Sequence, residues 1–178
     1  MDKKIKWIKY PFPYLIIDNF LPYKDFIQLN DELDNTKNYV QSVFKTPLEN
    51  KVIFKDNNMK KSVKKLVDRM GSFEIKNIIS QIIKSKNILS MRDFTNYGGY
   101  SPYHITENNG FLGAHVDHSS INEGEFSHIA NTIFYASNKW EEDWGGQTIF
   151  FSRNGFSQEV KIDPIPNRLI FFIHTANS

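Results

Sequence analysis

The sequence predicts an α+β fold whose β part is a sandwich or barrel. Three helical periodicities ahead of residue 84 and a succession of short β-rich runs after about Asn87 carry that prediction. Turn dipeptides punctuating the runs are the third observation: Gly98-Gly99, Asn109-Gly110, Gly145-Gly146 and Asn154-Gly155.

The elements follow in order. Residues 11–21, Pro-Phe-Pro-Tyr-Leu-Ile-Ile-Asp-Asn-Phe-Leu, form an apolar run behind prolines that disfavour helix, so a strand is expected. Pro22 then opens a helix to about Asp34, with Phe26, Leu29 and Leu33 on one side. Val52, Ile53 and Phe54 mark a brief strand within 51–55. Val63, Leu66, Val67 and Met70 give one helical stripe, and Phe73, Ile75, Ile78, Ile79 and Ile82 a second, with Gly71 between them. Strands are then expected over 87–94, 101–106, 111–117, 128–137, 147–152, 157–162 and 168–174. The 15 phenylalanines are the expected core, adjacent pairs such as Phe150 and Phe151 placing one ring on each sheet face.

At 178 residues the chain fits a single domain, 1–178. Residues 1–86 or so read as a helical support region with early strands, and 87–178 as the β core. No cysteine is present, which removes disulfides, thiolate zinc sites, iron–sulfur clusters and a cysteine nucleophile together. His, Asp and Glu remain as ligands. A formal charge of +2, from 22 basic and 20 acidic residues, recommends neither a nucleic-acid nor a membrane partner. Lys60, Lys61, Lys64 and Lys65 interleave with the first helical stripe and read as its wet side. The start lacks the apolar centre of a signal peptide, and no run approaches the roughly 18 apolar residues of a membrane span. A cytoplasmic protein is expected; its oligomeric state is not legible.

His115-Val116-Asp117, just after the Asn109-Gly110 turn, is the most informative triplet. In a strand, alternate side chains share a face, so an imidazole and a carboxylate two positions apart can close on one metal ion. A further histidine would complete the two-histidine, one-carboxylate set that leaves open positions on Fe(II). Small Gly113 and Ala114 leave space beside the pair. A surface histidine bonded to a nearby aspartate gives the same pattern.

Three later segments add context: Asn131-Thr-Ile-Phe-Tyr-Ala-Ser-Asn-Lys-Trp140, Trp144-Gly-Gly-Gln-Thr-Ile-Phe-Phe151 and Pro166-Asn-Arg-Leu-Ile-Phe-Phe172. With the H-x-D and the opening 11–21 run, their order resembles the Fe(II)/2-oxoglutarate oxygenases of the prolyl 4-hydroxylase-like group. Ala136-Ser137 departs from that group's Leu-Asn. The resemblance implies a double-stranded β-helix, or jelly roll, with the N-terminal helices packed on one sheet. It implies Fe(II), 2-oxoglutarate and O₂, with ascorbate as an accessory, and His115 and Asp117 as metal ligands and catalytic residues. The reaction implied is hydroxylation of a peptidyl residue, proline among the candidates, or of a small molecule, with 2-oxoglutarate decarboxylated to succinate. Asp117 stands where halogenating relatives carry a small residue, which favours hydroxylation. Tyr103 resembles the tyrosine that binds the cosubstrate carboxylate in some members.

In that family the distal histidine follows the Arg-Leu-Val-x-Phe strand after a short turn, and a basic residue for 2-oxoglutarate comes later still. Laid on this sequence, Ser178 falls about one or two residues short of that histidine, so a truncated fragment is expected. His174 is the other candidate for the third ligand: it alternates with Arg168, Ile170 and Phe172 and could meet Asp117 across strands. His118, His104 and His128 read as ordinary loop and strand histidines, and Asn131 as a strand asparagine that faces the site. Trp140 and Trp144 flank the acidic turn Glu141-Glu142-Asp143. Two other classes stay open: a non-catalytic jelly-roll binding module, and a cupin-like protein holding Zn²⁺ or Mn²⁺ through His115, Asp117 and His174.

Overall fold

In a computed structural model of the chain, residues 4–34, 40–54, 61–90, 104–117, 120–121, 125–152 and 157–174 are described. They form two compact units, Met1–Asn30 with Phe111–Ser178, and Asp31–Gly110.

The first unit contains β1 (Lys4–Ile8), β2 (Tyr14–Asp18), most of α1 (Tyr23–Asp34), β6 (Phe111–Leu112), β7 (Ser120–Ile121), β8 (Phe126–Ser127), β9 (Ala130–Tyr135), β10 (Thr148–Phe151), β11 (Gln158–Ile162) and β12 (Arg168–Ile173). Its main sheet runs β1-β2-β12-β9, every neighbouring pair antiparallel. The register sets Phe172 opposite Tyr14 and Asn131, Ile170 opposite Ile16 and Ile133, and Arg168 opposite Tyr135. Because strand side chains alternate, these residues share one face. That face joins Phe150 of β10 and Ile162 of β11, which pair as a separate ladder, in a core completed by Phe12. Phe150 lies 4.6 Å from the Phe12 ring, 5.1 Å from Tyr14 and 5.2 Å from Phe172. Each such burial contributes about 1.5–3 kcal/mol relative to an exposed side chain.

The opposite face buries Leu15, Ile17, Leu169 and Phe171. Phe20, ahead of α1, and Phe26 on it both reach the Phe134 ring, at 6.0 and 6.3 Å. The layers of this unit are thus a helix, the main sheet and the β10-β11 ladder.

Asn167 ties these layers together. Its side chain accepts from the Leu21 amide at 2.8 Å and donates to the Leu21 carbonyl at 2.9 Å, while its backbone accepts from Phe20. It does so with φ of 64°, a left-handed conformation that asparagine tolerates better than most residues.

The second unit contains β3 (Val40–Lys45), β4 (Glu49–Phe54), α2 (Lys61–Met70), α3 (Phe73–Ile83) and β5 (His104–Ile105). β3 and β4 form a hairpin whose turn is closed by Thr46, its hydroxyl accepting from Leu48 and Glu49, and β5 adds to β4. Both predicted helical stripes are helices. Gly71 ends the first, its amide donating to Val67, and Ser72 caps the second by accepting from Ile75. Val63, Leu66, Ile75 and Ile79 are their buried apolar positions.

Three expectations need correction. β1, β3, β7 and β8 are not among the expected strands, the first because its apolar residues Ile5 and Trp7 point to an exposed edge rather than a buried face. Residues 87–90 of the strand expected at 87–94 carry no regular structure, and 91–94 lie outside the described residues. The strand expected over 111–117 stops at Leu112, so His115 and Asp117 sit on irregular chain. There the Gly113 carbonyl bonds the His115 ring instead of a ladder partner, and glycine adds no side chain to hold a strand.

Candidate metal centre

Although off a strand, His115 and Asp117 still converge: Nε2 of His115 lies 3.4 Å from Oδ1 of Asp117. His174, one residue past β12, stays in the sheet's register through its amide, which donates to the Ile129 carbonyl. Alternation along β12 therefore carries its ring to the core face, beside Phe172 at 5.9 Å. Its Nε2 lies 3.2 Å from Oδ2 of Asp117, so the structure brings together His115, Asp117 and His174. The His174 side chain is 8% exposed, whereas that of His115 is 50% exposed.

The other nitrogen of each ring faces a backbone carbonyl, His115 Nδ1 to Gly113 at 2.8 Å and His174 Nδ1 to His128 at 3.1 Å. A carbonyl can only accept, so both rings donate from Nδ1. In the neutral tautomer each Nε2 then carries a lone pair aimed at a carboxylate. Nε2 of His174 is indeed buried without a hydrogen-bond partner. Two lone pairs and an anion repel unless a cation, or a second proton on each ring, joins them. The short contacts with His115, with His174 and with Asn131, in that order, hold the Asp117 carboxyl well below the usual carboxylate range, against the burial that pushes it up.

Asn131 donates to Oδ2 of Asp117 at 3.0 Å. His128 lies off any strand, between β8 and β9, its ring set edge-on to His174 with centroids 4.1 Å apart. As to metal fit, two ligands at about 2.1 Å from one ion stand about 3 Å apart, and the Asp117 carboxylate stands within 3.4 Å of both Nε2 atoms. Among the described residues, however, no group of three or more His, Asp or Glu is already gathered as a closed metal site. The donor set, two imidazole nitrogens and a carboxylate, is of the kind that suits a divalent metal.

Further along the same face, a feature the sequence reading missed is the Tyr135 hydroxyl, 2.6 Å from that of Thr148. The signal was the period of two that links Asn131, Ile133 and Tyr135. Burial pushes the Tyr135 phenol up, so it stays protonated. Arg168, on this face, is claimed by Asp18 through contacts of 2.6 and 3.2 Å and by the Asp163 carbonyl. His104 is in β5 of the second unit, while Tyr103 and His118 lie outside the described residues. Trp140 donates to the Gly145 carbonyl across a short 3-10 turn, Glu142–Trp144, that leaves Trp144 exposed.

Two imidazoles and a carboxylate that converge at one point beside the main sheet are a donor set of the non-haem type. Comparison with known proteins narrows this class. Residues 99–178 match the model of the 2OG-Fe(II) oxygenase superfamily. Among solved structures, a prolyl-4-hydroxylase from Pseudomonas putida is similar in fold, with a TM-score of 0.60 and 14% identity over 90% of this chain and 79% of that one. No curated protein matches. Residues 99–178 are thus similar to the 2OG-Fe(II) oxygenase superfamily, and the fold of the chain is similar to that of a prolyl-4-hydroxylase.

Proposed function

We propose that this protein is an Fe(II)- and 2-oxoglutarate-dependent dioxygenase built on a jelly roll, with His115, Asp117 and His174 as its iron ligands. It hydroxylates a peptidyl residue or a small molecule. The observation that carries the reading is the pair of imidazoles whose Nδ1 atoms are committed to carbonyls, turning both Nε2 lone pairs toward one carboxylate. This is the outer-shell arrangement that fixes the tautomer of ligating histidines.

When bound, iron would let 2-oxoglutarate and O₂ react to yield succinate, CO₂ and an oxidant for the substrate. The chain's own contributions are orientation and exclusion. The His128 and Gly113 carbonyls aim the rings, and Asn131 aims the carboxylate. Phe12, Phe150 and Phe172 make an apolar wall on the sandwich side. We assign the paired hydroxyls of Tyr135 and Thr148, on the face that also carries His174, to the far carboxylate of 2-oxoglutarate. Arg168 does not serve there because Asp18 already neutralises it.

The test is succinate formation from 2-oxoglutarate by purified protein supplied with Fe(II) and ascorbate. Turnover that disappears in Asp117→Ala supports the reading. No succinate from a protein that nevertheless binds Zn²⁺ or Mn²⁺ through the same residues favours the cupin-like alternative, and no metal binding at all favours a non-catalytic module.

A further inference from the structure

We infer that Asn131 is a positioning residue that makes Asp117 a one-oxygen ligand and so keeps a coordination position open for the cosubstrates; this rests on the iron reading above. The orientation of its amide follows from its partners. Oδ1 of Asn131 accepts from the Thr132 amide at 2.9 Å, so Nδ2 is the end that faces Asp117, 3.0 Å from Oδ2. The asparagine itself is anchored, because its residue pairs with Phe172 in the β9-β12 ladder. Asp117 has no such anchor: it lies on irregular chain between β6 and β7, and nothing in a ladder fixes its rotation.

Denticity follows from this difference. Oδ2 takes the amide and also stands 3.2 Å from Nε2 of His174, so Oδ1, the oxygen facing His115, is the one left to bind a metal held between the two rings. Two histidines and one carboxylate oxygen occupy three of six positions on an octahedral ion. The positions left would serve the 2-oxo acid cosubstrate and O₂. A carboxylate bound through both oxygens would fill one of these and compete with the cosubstrates. Asn131 thus acts on cosubstrate binding more than on metal retention, which separates its role from that of a ligand or of a structural asparagine.

The experiment compares wild-type protein with Asn131→Val and Asn131→Ser, two variants of which the first is a strong strand former and the second small, both without an amide donor. Co(II) affinity, the Co(II) visible spectrum and 2-oxoglutarate affinity of the Co(II)-loaded, oxygen-free protein are measured, with the melting temperature of the metal-free protein alongside. Co(II) affinity is expected to hold within about threefold while 2-oxoglutarate affinity falls about tenfold and the Co(II) spectrum changes, in both variants. Wild-type 2-oxoglutarate affinity with an unchanged spectrum overturns the inference and leaves the iron reading standing. A wild-type protein that binds no Co(II) overturns both.

Discussion

Asp117 is the residue on which the most chemistry turns. Its carboxyl titrates lower folded than unfolded, so the folded state binds that proton more weakly. Its contribution to stability is complete above about pH 4, the ordinary aspartate value, and is lost as the pH falls further. Denaturant unfolding of metal-free protein between about pH 2 and 6 should show a shallower acid limb in Asp117→Asn than in wild type. Proton and metal compete for the same Nε2 atoms, so metal affinity should fall as the pH is lowered. Asn167 matters differently. Asn167→Ala strands the Leu21 amide and carbonyl and places alanine at φ of 64°, and a loss of about 2–4 kcal/mol is expected in denaturant unfolding. Tyr135→Phe keeps the ring in the core but removes the hydroxyl paired with Thr148, so KM for 2-oxoglutarate should rise several-fold with little change in melting temperature.

Among the elements, β12 is the keystone of its unit. It is paired on both sides, and Leu169, Ile170, Phe171 and Phe172 are all buried. Its amides should exchange with solvent most slowly in the chain, and those of the two-residue strands β7 and β8 far faster, when exchange is followed by mass spectrometry. Residue patterns made α1, α2, α3 and the strands β9 to β12 legible, since each has either a helical stripe or an apolar run bounded by turn residues. Strand β1 was illegible for a physical reason: an edge strand with exposed Ile5 and Trp7 carries no burial pattern to read. The H-x-D segment misled in the opposite way. Its spacing suits a strand, yet convergence of His115 and Asp117 comes from an irregular turn closed by the His115 ring on Gly113.

For the whole molecule, the motif order pointed to a resemblance to the Fe(II)/2-oxoglutarate oxygenases, and the family-model match over residues 99–178 agrees with that resemblance. The site was only half legible. An H-x-D names two groups, but that His174 and Asn131 reach the same carboxylate depends on the register of β12 against β9, which no local pattern specifies. The Tyr135 and Thr148 pair depends on β9 and β10 presenting one shared face, again a long-range matter. Substrate identity depends on surfaces around the site that neither motif nor register describes.

The most direct test is oxygen-free titration of the purified 178-residue chain with Fe(II), beside His115→Ala, Asp117→Ala and His174→Ala. One tightly held iron per chain in wild type, weakened at least about tenfold by each substitution, is the predicted result. Iron bound equally well by His174→Ala, or by none of the four proteins, would contradict the account.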